Sequence, residues 1–356
     1  MCFEDIIKNC KNNTNYVNIL EYSNVKIMYF SNIQNLSEIK KYNINIIDNN
    51  KKNECYYNVW YLQEEAVYNE ILNLLYGKIY KRLQVHTLTR YKCYNEANLN
   101  IYLSDNNNQE YVVIKKKNNI FIISKQNDKA QYLLYVIREI IRIISENNKS
   151  IMFHAACIEI REKDILIIGD SGSGKTTLLF QLLNKSNSTF ISNDRTLIDI
   201  NLKPLSFPIK IRVGLETINN IYELEKYIEK ENITKILDGK TIFYPLDIGN
   251  WKKQCKGMNN RIKKIIIPNI KLDIISNNMK KIDKETAKII IARNCYTPID
   301  PEWKIKWFKE DYLFSNDEIV NFKKEIINKM ISEIPIYQLN YNGILDNKIL
   351  KKIMED

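Results

Sequence analysis

Residues 165–177 read ILIIGDSGSGKTT, an apolar run that ends in a glycine-rich turn with a lysine at its tip. The chain has nine glycines among its 356 residues, and Gly169, Gly172 and Gly174 fall within six positions here. Glycine tolerates a positive φ, which a turn needs when its backbone N–H groups all point inward. The stretch therefore predicts a buried strand, then a loop shaped around a ligand, then a helix over 175–185.

The spacing of this turn fits the pattern G-x-x-x-x-G-K-[ST] at Gly169, Gly174, Lys175 and Thr176. The N–H groups of such a loop and the amino end of the following helix bind phosphate oxygens. We expect Lys175 to reach the β- and γ-phosphates and the Thr176 hydroxyl to bind Mg²⁺. The predicted cofactors are ATP and Mg²⁺, and the predicted nucleotide-binding residues are Gly169, Asp170, Ser171, Gly172, Ser173, Gly174, Lys175, Thr176 and Thr177.

An acidic residue follows the next predicted strand, Thr189 to Ser192, in the turn Asn193-Asp194-Arg195. Asp194 is positioned to hold Mg²⁺ together with Thr176, or to take the proton of a phosphate acceptor. The alternative is an ordinary acidic residue in a turn at a strand end. We predict Asp194 to be both a catalytic residue and a metal ligand.

The chain contains two histidines, His154 and His86. His154 lies in MFHAAC, on the predicted strand before the one that carries the motif, and is the third predicted catalytic residue beside Lys175 and Asp194. A single histidine on an apolar strand is more often a structural core residue, and that alternative stays open. His86, in LQVHTLTRY, has no partner in the sequence pattern, so we interpret it as structural.

The pattern around the motif alternates short apolar runs with helical periodicity, which is typical of an α/β fold with a ligand at the carboxyl end of the sheet. Two domains are expected: a mixed, mostly β domain over 1–127 and a nucleotide-binding domain over 128–356. Strands are predicted at 150–160, 164–168, 189–192 and 196–200. Helices are predicted at 64–82, 128–148 (with Asp128 as N-cap), 175–185, 217–230, 283–294 and 316–333.

Composition excludes several other classes of protein. Hydrophobic residues make up 45% of the chain, which is typical of a folded protein. The formal net charge is +11, but lysines are spread in twos and threes between acids, so we predict neither a nucleic-acid nor a membrane partner. The seven cysteines form no CxxC pair, and no apolar segment is long enough for a signal or a span. We therefore expect a cytoplasmic protein with free thiols.

Residues 153–200, FHAACIEIREKDILIIGDSGSGKTTLLFQLLNKSNSTFISNDRTLIDI, resemble the catalytic domain of the HPr kinase/phosphorylase family and its HPr-kinase-related members. In that family a strand with a histidine precedes a G-D-S-G-x-G-K-[ST] loop, and an Asp-Asp-Arg turn follows the helix. The helix predicted over 128–148 extends the resemblance more loosely, and residues 1–125 lie outside it. The resemblance implies a P-loop domain of the phosphoenolpyruvate-carboxykinase/HPr-kinase-like type, and a homo-oligomer by analogy.

The resemblance also implies a reaction, the transfer of phosphate to a Ser or Thr hydroxyl on a protein or precursor peptide. It assigns the phosphate loop to Gly169–Thr177, the histidine near the site to His154, and one acid of a pair to Asp194. The chain departs from the family at Asn193, where the family has its proton-handling acid. An amide cannot accept that proton, so either Asp194 or His154 takes the role, or transfer is slow or absent, and reverse phosphorylase chemistry is not expected.

Three functions remain open from the sequence. The first is a peptide or protein kinase, with residues 1–127 helping to recognise the acceptor. The second is a nucleotide-binding switch or ATPase without phosphotransfer, which Asn193 favours, and the third is a small-molecule kinase. An arginine that neutralises the transferring phosphoryl group would be Arg195, Arg212 or Arg293, and sequence does not choose among them.

Overall fold

The structure is a computed structural model that describes residues 2–33, 36–48, 55–86, 89–96, 98–105, 110–125, 131–233, 236–237, 239–255, 257, 260–271, 273–298, 300 and 306–355. These residues form two compact units. The first is Met1–Ile144 with Ile299–Asp311, and the second is Ser145–Pro298 with Tyr312–Asp356. Within the described ranges, no helix has the length and apolar character needed to cross a membrane.

The first unit is built on one mixed sheet, whose described strands lie in the order β3-β1-β2-β4-β9-β8-β7-β6-β5. The strands are β1 Tyr16–Tyr22, β2 Val25–Ser31, β3 Asn45–Asp48, β4 Tyr57–Gln63, β5 Lys81–His86, β6 Thr89–Glu96, β7 Leu99–Ser104, β8 Tyr111–Lys116 and β9 Asn119–Ser124. The helices are α1 Phe3–Asn12, α2 Ser37–Lys40, α3 Glu65–Leu75 and α4 Gln131–Asn147. Strand β4 is parallel to β2 and β9, and the other neighbours are antiparallel.

Helix α3 is shorter than the sequence predicts. The apolar spacing over 64–82 indicated one helix, but α3 ends at Leu75. Tyr76 has extended backbone, and Gly77 follows with a φ of 73°. A glycine in the left-handed region is a common helix stop, and it sends the chain into β5 here.

Helix α4 belongs to the first unit over most of its length, so the units do not coincide with the ranges 1–127 and 128–356. The ring of Tyr132 stacks on Tyr111 of β8 with centroids 3.6 Å apart. The predicted N-cap, Asp128, lies outside the described residues. The described part of the helix, Gln131–Asn147, agrees with the predicted periodicity.

Residues 306–311, which we call the clasp, complete the first unit although they lie far along the chain. Trp307 stacks on Tyr91 with centroids 4.9 Å apart, and its backbone N–H donates to Glu139 Oε1 at 2.7 Å. The Lys115 ammonium, only 2% exposed, donates to Asp311 Oδ1 at 2.8 Å. The clasp therefore supplies both an aromatic anchor and the counter-charge of a buried lysine.

The second unit holds a sheet with strand order β19-β13-β11-β12-β20-β22-β21 and two small sheets, β10-β14-β15 and β16-β18-β17. The strands are β10 Ile151–Phe153, β11 Ala155–Ile160, β12 Lys163–Ile168, β13 Ser188–Ser192, β14 Thr196–Ile198, β15 Pro204–Ser206, β16 Ile211–Gly214, β17 Ile236–Leu237, β18 Lys240–Phe243, β19 Lys253–Gln254, β20 Ile262–Ile270, β21 Asn278–Lys281 and β22 Ile336–Tyr341. The helices are α5 Lys175–Lys185, α6 Leu215–Asn219, α7 Tyr222–Lys230, α8 Pro245–Trp251, α9 Lys284–Arg293, α10 Asn316–Glu333 and α11 Asn347–Met354.

Strand β12, which leads into the glycine-rich turn, lies in the middle of the larger sheet, parallel to β20 and antiparallel to β11. Apolar residues of α5 cover one face of this sheet, and apolar residues of α9 and α10 cover the other. The predicted α/β class is confirmed as a mixed α/β fold with parallel and antiparallel strands. Burial on both faces explains why β12 reads as a continuous apolar run.

The boundaries of α5 agree with the predicted helix over 175–185, and α10 agrees with the one over 316–333. Two predicted elements are divided in the structure. The strand predicted over 150–160 breaks at His154, so β10 pairs with β14 while β11 joins the larger sheet. The helix predicted over 217–230 is split into α6 and α7.

Candidate functional site

The glycine-rich loop, residues 169–174, connects the end of β12 to the start of α5. Gly172 and Gly174 have φ values of 79° and 97°. A Cβ on Gly174 would lie 2.5 Å from the Ile270 side chain, and the Tyr341 hydroxyl donates to the Gly174 carbonyl at 2.8 Å. Only glycine satisfies both the backbone angle and this close approach.

The loop leaves backbone donors at the amino end of α5. The first helical N–H of α5 with an acceptor in the preceding turn is that of Leu178, which donates to Gly174 at 2.9 Å. The N–H groups of Lys175, Thr176 and Thr177 come before it and therefore have no intrahelical acceptor. Together with the helix dipole they favour an anion at this end of the helix.

Lys175 is held inside the loop. Its Nζ donates to the carbonyl oxygens of Gly169 at 2.7 Å and Asp170 at 2.9 Å, and the residue is only 7% exposed. Burial lowers the pKa of Lys175 to about 8, although the carboxylates of Asp194 and Asp170 act in the opposite direction. A desolvated ammonium bound to neutral carbonyls gains strongly from an incoming anion.

Asn193, rather than Asp194, is the hydrogen-bond partner of Thr176. The Thr176 hydroxyl donates to Asn193 Oδ1 at 3.2 Å, and Asn193 is buried. The next hydroxyl along the helix, Thr177 Oγ1, lies 2.8 Å from Thr217 Oγ1 in α6. The sequence analysis placed Asn193 at the position of the family's first acid, but it did not predict the contact with Thr176.

Asp194 and His154 form a pair next to the loop. His154 Nε2 donates to Asp194 Oδ1 at 3.0 Å, and Arg195 Nη1 lies 3.8 Å from Asp194 Oδ2. Desolvation alone would raise the pKa of Asp194, but the hydrogen bond from His154 and the charges of Arg195, His154 and Lys175 outweigh it and lower the pKa to about 2. Asp194 has a φ of 65°, a backbone strain of a kind that often marks functional sites.

Residues at the end of α9 and directly after it contact the loop and this pair. The Asp170 side chain is bound by Arg293 and by Asn294, whose Nδ2 donates to Asp170 Oδ1 at 3.1 Å. The ring of Tyr296 stacks on His154 with centroids 5.2 Å apart and also faces the Arg195 guanidinium. No motif in the sequence marks Asn294 or Tyr296, because both are brought to the site by tertiary packing.

The three candidate arginines differ in their surroundings. Arg195 is buried beside Asp194 and Tyr296, Arg293 is exposed and bound to Asp170, and Arg212 has an exposed side chain on β16. The side chain of His86 lies outside the described residues. Arg195 and Arg293 are thus part of the cluster around the loop.

The donor atoms near the loop suit a metal that arrives with a nucleotide. The described parts of the chain contain no group of three or more His, Cys, Asp or Glu side chains that could hold a metal ion. Thr176, Asn193 and Asp194 offer oxygen atoms close to the loop. Mg²⁺ is usually held by one or two protein oxygens together with phosphates and water, so this set fits a Mg²⁺–nucleotide complex.

No protein-family model matches the chain, and no curated protein matches it either. The resemblance to the HPr kinase/phosphorylase family therefore stays a prediction from residues 153–200.

Proposed function

We propose that the chain is an ATP- and Mg²⁺-dependent kinase that transfers the γ-phosphoryl group to a Ser or Thr hydroxyl of a protein or precursor peptide. The observation that supports this best is the hydrogen-bonded His154–Asp194 pair beside a glycine-rich loop with a buried lysine. A phosphate-binding loop alone is compatible with any nucleotide-dependent activity. A histidine–carboxylate pair beside it is suited to accepting a proton.

In this proposal the loop N–H groups and Lys175 bind the β- and γ-phosphates, while Thr176, Asn193 and Asp194 hold Mg²⁺. The metal neutralises phosphate charge when bound. Asn193 serves as a neutral oxygen donor in place of the family's acid. Arg195 and Arg293 are less suited to direct charge stabilisation, because the carboxylates of Asp194 and Asp170 lie against them.

We assign the proton acceptor to His154. A carboxylate with a pKa near 2 is a weak base, so Asp194 is better suited to orient the histidine and stabilise its cation. With Nε2–H donating to Asp194, Nδ1 is the nitrogen that accepts. The acceptor oxygen bonds to the γ-phosphorus, the bond from that phosphorus to the β,γ-bridging oxygen breaks, and the hydroxyl proton moves to Nδ1.

A nucleotide switch or ATPase without a protein acceptor is the second candidate. The observation that favours it is Asn193, an amide at the position where the resembled family carries an acid. An experiment with labelled ATP separates the two candidates. The purified protein is incubated with γ-labelled ATP, Mg²⁺ and an extract of its source cells; label on a protein or peptide hydroxyl supports the kinase, and bound nucleotide or free labelled phosphate alone supports the switch.

We expect His154→Gln to lower the single-turnover transfer rate by roughly 10²- to 10⁴-fold, the usual contribution of a general base, with ATP affinity nearly unchanged. Quench-flow and equilibrium binding measure the two quantities separately. His86→Gln is the matched control, since it removes the other histidine. Asp194→Asn should also suppress Mg²⁺-dependent turnover. Full activity in His154→Gln and in Asp194→Asn would show that His154 and Asp194 have no part in the mechanism.

A further inference from the structure

We infer that Asn294 is a positioning residue that fixes the phosphate loop and His154 relative to each other; the inference rests on the proposed function. Asn294 is 3% exposed and follows the last residue of α9. Its side chain binds the loop through Asp170. Its backbone carbonyl accepts the N–H of His154 at 2.8 Å.

The side chain of Asn294 is itself locked in place. Its Nδ2 donates both to Asp170 Oδ1 at 3.1 Å and to the carbonyl of Ile290, in the last turn of α9, at 2.9 Å. These two bonds use both hydrogens of the amide. An aspartate at this position would have no hydrogen to donate and would repel Asp170, so the contact requires an amide.

The two residues that follow Asn294 are also attached to the chain near His154 by backbone hydrogen bonds. The following residue, Cys295, forms a bridge with Phe153, and the N–H of Tyr296 donates to the Met152 carbonyl at 2.8 Å. His154 lies between β10 and β11 and is not part of the strand pairing of either one. The backbone carbonyl of Asn294 thus gives His154 the hydrogen-bond partner that a neighbouring strand would otherwise provide. The side chain of the same residue contacts the loop.

The expected role follows from this double attachment. A displacement of about 1 Å between reacting groups can lower a rate by roughly 10²-fold. Asn294 touches neither phosphate nor acceptor in this arrangement, so its loss should misplace His154 against the loop while the loop still binds nucleotide. Arg293 holds the other oxygen of Asp170 from an exposed position, where an ion pair contributes little.

The test is a double-mutant cycle on the full chain with Asn294→Ala, Asp170→Ala and the double variant. We expect each single variant to lower the single-turnover transfer rate at least tenfold. For Asn294→Ala, which lies outside the predicted nucleotide-binding residues, ATP affinity should change less than threefold. If Asn294 acts through Asp170, the double variant is no slower than the slower single variant. Asp170 is exposed, so Asp170→Ala keeps the test valid if Asn294→Ala does not fold.

A second readout does not depend on transfer. The chain has two histidines, so the imidazole proton resonances of His154 can be assigned by comparison with His154→Gln. Both single variants should shift them, and the exposed substitution Lys288→Gln on α9 should not. Unchanged resonances and rates, or rate losses that multiply in the double variant, would overturn the inference. Transfer that is absent even in the wild type, with resonances that do shift, would instead contradict the proposed kinase while leaving the positioning contact in place.

Discussion

Replacing Lys175 by Met is expected to abolish ATP binding at millimolar nucleotide, a loss of at least about 10²-fold, while the protein stays folded. The ammonium is the one positive charge held within the loop itself, where burial makes its interaction with phosphate strong. Met keeps the length and the apolar part of the side chain. Met removes a buried charge but cannot donate to the carbonyls of Gly169 and Asp170, so we expect the two effects to offset in part and the fold to persist.

The same residue gives a pH dependence with a definite sign. Lys175 loses its proton as the pH rises through about 8 in the nucleotide-free protein. Bound phosphate favours the ammonium, so ATP affinity should be full below this pH and fall by up to tenfold per pH unit above it. Titration calorimetry in buffers of different ionisation enthalpy should detect proton uptake on binding near pH 8.

The control for both predictions is Lys284→Met, which replaces an exposed lysine on α9. Lys284→Met should bind ATP as the wild type does. The fall in ATP affinity above pH 8 should persist in Lys284→Met, because that variant keeps Lys175. Undiminished binding by Lys175→Met would show that the loop is not a phosphate site.

Replacing Asp311 by Asn should lower the free energy of unfolding of the first unit by about 3 kcal/mol, the usual cost of removing one partner of a buried ion pair. Lys115 would stay buried with its nearest counter-charge gone, and the Tyr57 hydroxyl, 2.6 Å from Asp311 Oδ2, would keep an acceptor. For a unit of this size the loss corresponds to a fall in Tm of roughly 10 °C. Urea unfolding followed by tryptophan fluorescence measures it.

Glu310 supplies the matched control for Asp311. Its Oε1 lies 3.1 Å from the same Lys115 Nζ, but its side chain is 43% exposed against 13% for Asp311. Glu310→Gln should therefore cost less than about 1 kcal/mol. Adding Lys115→Met to Asp311→Asn should recover most of the stability; equal losses for Asp311→Asn and Glu310→Gln would mean that burial does not decide the strength of this contact.

Local patterns were enough to predict the elements around the loop. Helix α5 and strand β12 follow from apolar periodicity and glycine punctuation, and both lie where the sequence indicated. The helix-compatible apolar spacing continues past Gly77 to residue 82, so it does not reveal that α3 ends at Leu75. The clasp could not be predicted from local patterns, because the contacts of Trp307 with Tyr91 and Tyr102 join residues about 200 positions apart in the sequence.

The candidate site could likewise be predicted only in part. The loop residues and the neighbourhood of His154 and Asp194 could be proposed from the order of strand, loop, helix and turn. The sequence did not reveal which of Asn193 and Asp194 faces Thr176, because neighbouring side chains in a turn diverge according to backbone angles such as the positive φ of Asp194. Asn294 and Tyr296 follow the end of α9, more than a hundred positions beyond the loop in the sequence.

The clasp has a consequence for how the chain is made. Lys115 and Asp311 are 196 positions apart, so at 5–20 residues per second a ribosome needs about 10–40 s between them. During that interval the strands and helices of the first unit already exist, but Lys115 lacks the carboxylate of Asp311. The ring of Tyr91 also lacks its stacking partner, Trp307. The first unit is therefore completed only after most of the second unit has been translated, and until then its unpaired lysine and exposed aromatic residues are open to chaperones and to aggregation.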